Sequence, residues 1–185
     1  MSSNGSIIFL HGASSSGKST IARSLQSSVD LPFWHISIDH LRDSGVLPSE
    51  RIKSGDFDWK AMRQDFFDGF HRSLAAYAGA GNNLIVEHIL ETPNAQGELA
   101  MLLEPFDVLF VAVHCPLAEL ARREAMRGDR REGSAAQDFA TIHIDRRYDL
   151  ALQSLNGTAQ NVARILDVWR KKRPRSQFFN VTSGR

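Results

Sequence analysis

Ile7-Ile8-Phe9-Leu10-His11-Gly12-Ala13-Ser14-Ser15-Ser16-Gly17-Lys18-Ser19-Thr20 decides how the rest of the chain is read. A run of β-prone apolar residues feeds directly into G-x-x-x-x-G-K-S, and Ile21-Ala22-Arg23-Ser24-Leu25 continues with helical spacing. The order is strand, phosphate loop, helix. Chemistry sets the spacing. The loop must turn its backbone N–H groups inward around phosphate oxygens, and glycine at Gly12 and Gly17 tolerates the dihedrals and the close approach. Lys18 is then placed to reach the β- and γ-phosphates and Ser19 to offer its hydroxyl to Mg²⁺, with the positive end of the helix facing the anion. The nine residues Gly12 to Thr20 are therefore the expected ATP-binding segment.

A chain of 185 residues with 42% hydrophobic content is long enough to bury one substantial core, so a single domain over residues 1–185 is expected. Its net charge of +1 favours no polyanionic partner, and a nucleic-acid binder relying on counterion release is not indicated. The single cysteine, Cys115, excludes a disulfide framework and a cysteine-rich metal site, and the seven histidines show no H-E-x-x-H spacing. The N-terminus lacks a charged leader, and no apolar run approaches the ~20 residues that span a bilayer. A cytoplasmic protein without membrane contact is the expectation.

Downstream, Leu31-Pro32 marks a turn, and Phe33-Trp34-His35-Ile36-Ser37-Ile38 reads as a second strand ending at Asp39. His40 to Asp58 shows no sustained period, and connections of that length inside a domain are usually functional; about 39–60 is the expected acceptor region. From Trp59, apolar residues at Met62, Phe66, Phe70, Leu74 and Tyr77 make an amphipathic helix that closes at Gly79. Asn83 to Glu87 is a short buried strand, Thr92-Pro93 an N-cap and first residue of a helix to about Leu103, and Phe106 to Val113 the most strand-like run. A helix from Leu117 carries Glu119, Arg122, Arg123 and Glu124 on its outer face. Helices at about 135–146 and through Val162 to Trp169 flank a strand at 149–155, and Phe178 and Phe179 are placed to dock the tail. Alternating strands and helices, with nearly continuous apolar strands, predict an α/β fold with a parallel sheet covered on both faces. In such sheets ligands lie beyond the carboxyl ends of the strands, which gathers the loop, Asp39, Glu87 and the residues around His114 in one cleft.

Three groups could carry chemistry there. Asp39 is either a carboxylate that takes the proton of an attacking hydroxyl or the N-cap of a following helix. Glu87 is placed to help hold Mg²⁺ through water or to orient a substrate, with His88 beside it to touch the substrate. Arg123, Arg127 and Arg130 sit at four- and three-residue steps, as lid arginines that neutralise a transferring phosphoryl group or as a solvated face paired with Glu119 and Glu124. Gly128 and Gly133 bracket a segment, about 127–136, that suits a short lid. The basic run Arg170 to Arg175 sits at a helix C-terminus, where cations complement the dipole.

Together, Gly12 to Ser19, Ile38-Asp39 after Trp34, Val113-His114-Cys115-Pro116 and Arg123-Glu124-Ala125-Met126-Arg127-Gly128-Asp129-Arg130 resemble the chloramphenicol phosphotransferase family. Gly133, Ala135-Ala136, His143 and Tyr148-Asp149 fit the same pattern, so the resemblance covers about Ile7 to Leu155. It implies a three-layer, adenylate-kinase-like P-loop kinase fold with a five-stranded parallel sheet and a short lid. It also implies ATP- and Mg²⁺-dependent transfer of the γ-phosphate to a hydroxyl of a small molecule, an antibiotic such as chloramphenicol. By that similarity Asp39 matches the general base, Lys18 and Ser19 the ATP and Mg²⁺ groups, and Arg127 and Arg130 the lid charges. Glu87-His88 stands where the family carries paired aspartates, and the stretch from Asp43 to Trp59 departs from the pattern; both departures bear on the acceptor. The competing readings are a nucleoside, nucleotide or other metabolite kinase, and a non-catalytic ATP-binding regulatory module. A guanine-specific switch is disfavoured by the lack of N-K-x-D.

Overall fold

Residues alternate in direction along a strand, and in β1 (Ile7–His11) both directions meet apolar layers. Ile7 and Phe9 point into one core with Phe70, Leu74 and Phe110, while Ile8 and Leu10 point into a second with Ile21, Leu25 and Ile165. That double burial makes β1 the centre of the sheet. The computed structural model describes residues 4–90, 94–127 and 133–181. Five strands, β1, β2 (Phe33–Ser37), β3 (Asn83–His88), β4 (Val108–His114) and β5 (Leu150–Gln153), lie in the order β2-β3-β1-β4-β5, each pairing parallel. The five-stranded parallel sheet expected above is what the chain forms.

One face is covered by α1 (Lys18–Ser28) and α8 (Thr158–Trp169), the other by α4 (Trp59–Gly79), α5 (Ala95–Leu102) and the C-terminal tail. The tail is held by chemistry as well as by Phe178, which is fully buried. Asp149, just before β5, accepts from the backbone N–H of Phe110 at 2.7 Å and of Gln177 at 2.8 Å, and from the Ser176 hydroxyl. α4 starts where Asp58 accepts from the Lys60 N–H at 2.9 Å.

Several boundaries differ from the sequence reading. β2 stops at Ser37, because the Ser37 hydroxyl accepts from the His40 N–H at 3.2 Å and starts α2 (Ile38–Asp43). Asp39 therefore lies in the first turn of a helix and does not cap it. The connection from His40 to Asp58, aperiodic but with room for a short helix, holds α3 (Ser49–Lys53) as well. The helix expected at 135–146 is α7 (Ser134–Thr141), and β5 is shorter than 149–155 because Ser154–Asn156 turns into a 3₁₀ segment. The Thr92-Pro93 start of α5 lies outside the described residues. Four of the five cations of the basic run are paired: Arg170 with Asp30, Lys171 with Asp167, Arg173 with Asp107 and Arg175 with Glu104.

Strand register brings the carboxyl ends level. Leu10 and Ser37 stand opposite Glu87, and His11 stands opposite His88, so the loop after β1, α2 after β2 and the end of β3 share one edge of the sheet.

Candidate active site

The phosphate loop joins β1 to α1 under tight steric control. A Cβ on Gly12 would meet the Val113 carbonyl oxygen of β4 at 2.5 Å, and Gly17 has φ +96°, a left-handed conformation that favours glycine. Ser15 adopts the same region, at φ 62°, without that freedom. Lys18 is buried and its ammonium donates to the Gly12 and Ala13 carbonyls, each at 2.8 Å, so the charge lies folded back along the loop. The hydroxyls of Ser15 and Ser16 are buried with no hydrogen-bond partner among the described residues. Polar atoms left unpaired cost free energy unless a ligand or water meets them. These donors, a buried lysine and a helix N-terminus all suit a polyphosphate, so the residues present fit ATP.

The loop forms the floor of a cavity of about 510 Å³. Ser14 to Thr20, Asp39, Glu87, His88, Arg122 and Arg123 line it, and Ser154 and Thr158 stand on its wall from beyond β5. The structure thus brings together the loop, Asp39, Glu87, His88 and Arg123. Of the remaining lid residues, Arg130 lies outside the described residues, and Arg127 is described only as the last residue of α6 (Leu117–Arg127).

Asp39 is half-exposed on the cavity wall, and the Arg42 guanidinium, one helical turn on, holds it at 3.0 Å. Glu87 is buried and has both oxygens engaged. Oε2 accepts from the Ser19 hydroxyl at 2.8 Å, and Oε1 pairs with Nε2 of His35 from β2. Burial alone would raise its pKa, but the His35 hydrogen bond, the Lys18 charge and the Ser19 hydrogen bond outweigh it and hold the carboxyl below its usual range. The oxygens around Ser19 and Glu87 are hard donors of the kind Mg²⁺ takes, so these residues fit the ion as well.

His88 has a different setting from the one expected. Its Nδ1 accepts from the Leu90 N–H at 2.7 Å, its Nε2 faces Nε2 of His71 at 3.0 Å, and its ring packs among Phe9, Phe67 and Phe70. Burial pushes its pKa down to about 3, so the ring is neutral. A neutral His88 that accepts at Nδ1 carries its proton on Nε2 and donates to His71, whose own proton then sits on Nδ1. Asp68, His71 and Glu98 bring ligand-type atoms within 4.8 Å of one another, yet this tautomer leaves His71 no lone pair for a cation.

α6 presents Arg122 and Arg123 to the cavity, both paired to Glu119. Arg123 also donates from Nη1 to the Ser15 carbonyl at 3.3 Å, which places a guanidinium against the loop. Glu124 is not on the outer face; it is buried and accepts from the Gly133 N–H at 3.0 Å, tying α6 to the start of α7. α7 in turn reaches the loop, where Asp138 accepts from the Ser14 N–H at 2.9 Å. At the root of the loop, His11 donates from Nε2 to the Ile89 carbonyl and accepts at Nδ1 from the Tyr148 hydroxyl, which accepts from Nδ1 of His143. His143 lies against the ring of His114 at 4.1 Å.

His35, Asp138 and Arg122 were not singled out from the sequence as site residues. For His35 the period of two was a usable signal, since it shares a strand face with Phe33, which packs in the α1 core. Asp138 carried no such signal, because its partner is 124 residues away.

The family model described as chloramphenicol phosphotransferase-like protein matches residues 5–170. The chain is 28% identical over 197 residues to "Putative O-phosphotransferase Rv2636" of Mycobacterium tuberculosis (strain ATCC 25618 / H37Rv), covering 95% of this chain and 87% of that protein. Among solved structures, it is similar to the Mycobacterium tuberculosis APS kinase CysC in complex with AMPPNP and APS, with TM-score 0.70 and 17% identity over 91% of this chain and 99% of the other. A gluconokinase from Sinorhizobium meliloti 1021 superposes with TM-score 0.62 at 20% identity, covering 91% and 93%. These likenesses show the P-loop kinase fold. With the family match over most of its length, the chain belongs to the chloramphenicol phosphotransferase-like family and is by class a small-molecule kinase.

Proposed function

We propose that the protein is an ATP- and Mg²⁺-dependent O-phosphotransferase that moves the γ-phosphoryl group to a hydroxyl of a small molecule, with an antibiotic of the chloramphenicol type as the leading acceptor. The observation that carries this reading is the cavity floored by the phosphate loop and walled by Asp39. Loop amides and Lys18 bind the phosphates, the Lys18 ammonium leaving the Gly12 and Ala13 carbonyls for phosphate oxygens. Ser19, with Glu87 behind it, would hold Mg²⁺, which when bound supplies charge neutralisation between the phosphates. Asp39 accepts the proton of the acceptor hydroxyl as its oxygen attacks phosphorus, and Arg42 keeps the carboxylate on the cavity wall. Arg123, Arg127 and Arg130 serve as the lid charges that stabilise the transferring group. Glu87 and His88 border the acceptor at the end of β3, His88 through its ring rather than its engaged nitrogens. The reaction belongs in the cytoplasm, where ATP is abundant.

The test is to incubate the protein with Mg·ATP and a panel of hydroxylated antibiotics, nucleosides and sugars, and to search by mass spectrometry for products heavier by one phosphoryl group. A phosphorylated antibiotic supports the full reading. A phosphorylated nucleoside or sugar alone keeps the kinase and replaces the acceptor, and ATP binding with no phosphorylated product points to a regulatory nucleotide-binding module.

A further inference from the structure

β2 and β3 pair with His35 opposite Ile85 and Ser37 opposite Glu87. His35 and Glu87 therefore stand on the same face of the sheet, one diagonal step apart, on the side where α1 presents Ser19. Both side chains are 7% exposed. Both carboxylate oxygens of Glu87 are engaged, one by His35 Nε2 and the other by the Ser19 hydroxyl, which donates to it at 2.8 Å. The Ser19 proton is thereby committed to Glu87, and the lone pairs of the Ser19 oxygen are turned away from the sheet. The ring of His40, from α2, packs edge-on against His35 at 4.6 Å between centroids and fixes its plane.

We infer that His35 is a positioning residue for the cation site: by anchoring Glu87 it aims the Ser19 hydroxyl, so that Glu87 acts through Ser19 rather than as an independent ligand. This rests on the kinase reading above. The chain His35 to Glu87 to Ser19 runs from the edge strand of the sheet to the helix that follows the phosphate loop. Neither a glutamate at the end of β3 nor a serine in the loop requires a histidine on β2. With the histidine absent, the carboxylate has a free oxygen and a free rotor in a nearly closed space. The Ser19 hydroxyl then loses its fixed direction. Groups that orient ligands in this way typically change metal affinity by about 10- to 100-fold when removed.

The test measures binding rather than turnover. Calorimetric titration of a non-hydrolysable ATP analogue is run with and without Mg²⁺ on the wild-type protein, His35→Phe and His35→Gln. The amide of glutamine offers Glu87 an N–H in place of the imidazole. In the wild type Mg²⁺ tightens binding; in His35→Phe about tenfold or more of that tightening is lost while metal-free affinity stays within about twofold, and His35→Gln recovers most of it. His35→Asn, polar but too short to reach Glu87, reads the same loss if the aromatic variant fails to fold. Undiminished Mg²⁺-dependent tightening in His35→Phe or His35→Asn overturns the inference, as does an equal loss of metal-free binding. Wild-type binding that Mg²⁺ does not tighten contradicts the kinase reading itself.

Discussion

Asp39 shows how one residue can change meaning when its neighbours are placed. As a sequence position it was equally a base or a helix cap, because aspartate suits both. Ser37 takes the capping bond, and Asp39 is left on the cavity wall against Arg42. A carboxylate that takes a proton should be replaceable by its amide without loss of shape or of nucleotide binding. Asp39→Asn is expected to bind ATP with unchanged affinity by calorimetry and to lower turnover by about 100-fold or more in a coupled ADP assay. The loop was legible residue by residue, since phosphate geometry prescribes Gly12, Gly17, Lys18 and Ser19 in fixed order. His88 was not. Its position after Glu87 suggested a substrate contact, but only the packing of Phe9, Phe67 and Phe70 around its ring and the Leu90 N–H on Nδ1 show that its nitrogens face inward.

At the scale of elements, periodicity located every strand and the major helices, while their ends were set by caps and contacts that periodicity does not show. β2 ends early because a serine two residues before the aspartate caps α2, and α7 ends at Thr141 rather than Arg146. Arg146 instead leaves the helix to donate to Gln96 at 2.6 Å and to the Leu90 carbonyl at 3.0 Å. The C-terminal tail behaves as an element in its own right, pinned to Asp149 by the Gln177 N–H and the Ser176 hydroxyl, while the same carboxylate accepts from the Phe110 N–H of β4. Asp149→Ala removes all three acceptor bonds and leaves donors at the edge of the core unpaired. It is expected to destabilise the fold by about 3 kcal/mol in urea denaturation, with Phe178 released from its socket. A tail held only by its phenylalanines would instead lose less than about 1 kcal/mol.

For the whole molecule, the histidines are the collective feature that composition alone could not disclose. Seven of them in a near-neutral chain read as an unremarkable count, yet the fold buries a group of them around the root of the loop. Burial lowers the pKa of His11, His71 and His114, takes His143 down to about 4, and takes His88 down to about 3. A buried base held neutral in the fold but free to take a proton when unfolded makes the unfolded state bind more protons on acidification. The stabilising contribution is therefore complete above the unfolded value of 6.5 and is lost progressively as pH falls toward about 3 for His88. Stability should be greatest above neutral pH and fall below 6.5, each deeply buried histidine adding a slope of about 1.4 kcal/mol per pH unit. Urea denaturation between pH 7.5 and 5.5 checks this: because the unfolded histidine titrates at 6.5 inside that window, His88 accounts for about 1.4 kcal/mol across the whole of it, and His88→Phe should remove that much of the pH dependence, whatever it costs at neutral pH. An unchanged slope would mean that His88 takes a proton in the folded state.

The central claim is that the cavity over the phosphate loop directs a phosphoryl group to a small-molecule hydroxyl and not to water. Its most direct measurement follows the γ-phosphoryl group of labelled Mg·ATP while ADP release is counted in the same reaction, with and without hydroxylated acceptors. The account predicts that an acceptor raises ADP release and that the label appears in a phosphate ester, one ester for each ADP. Label recovered only as inorganic phosphate, at a rate that no acceptor changes, would contradict it.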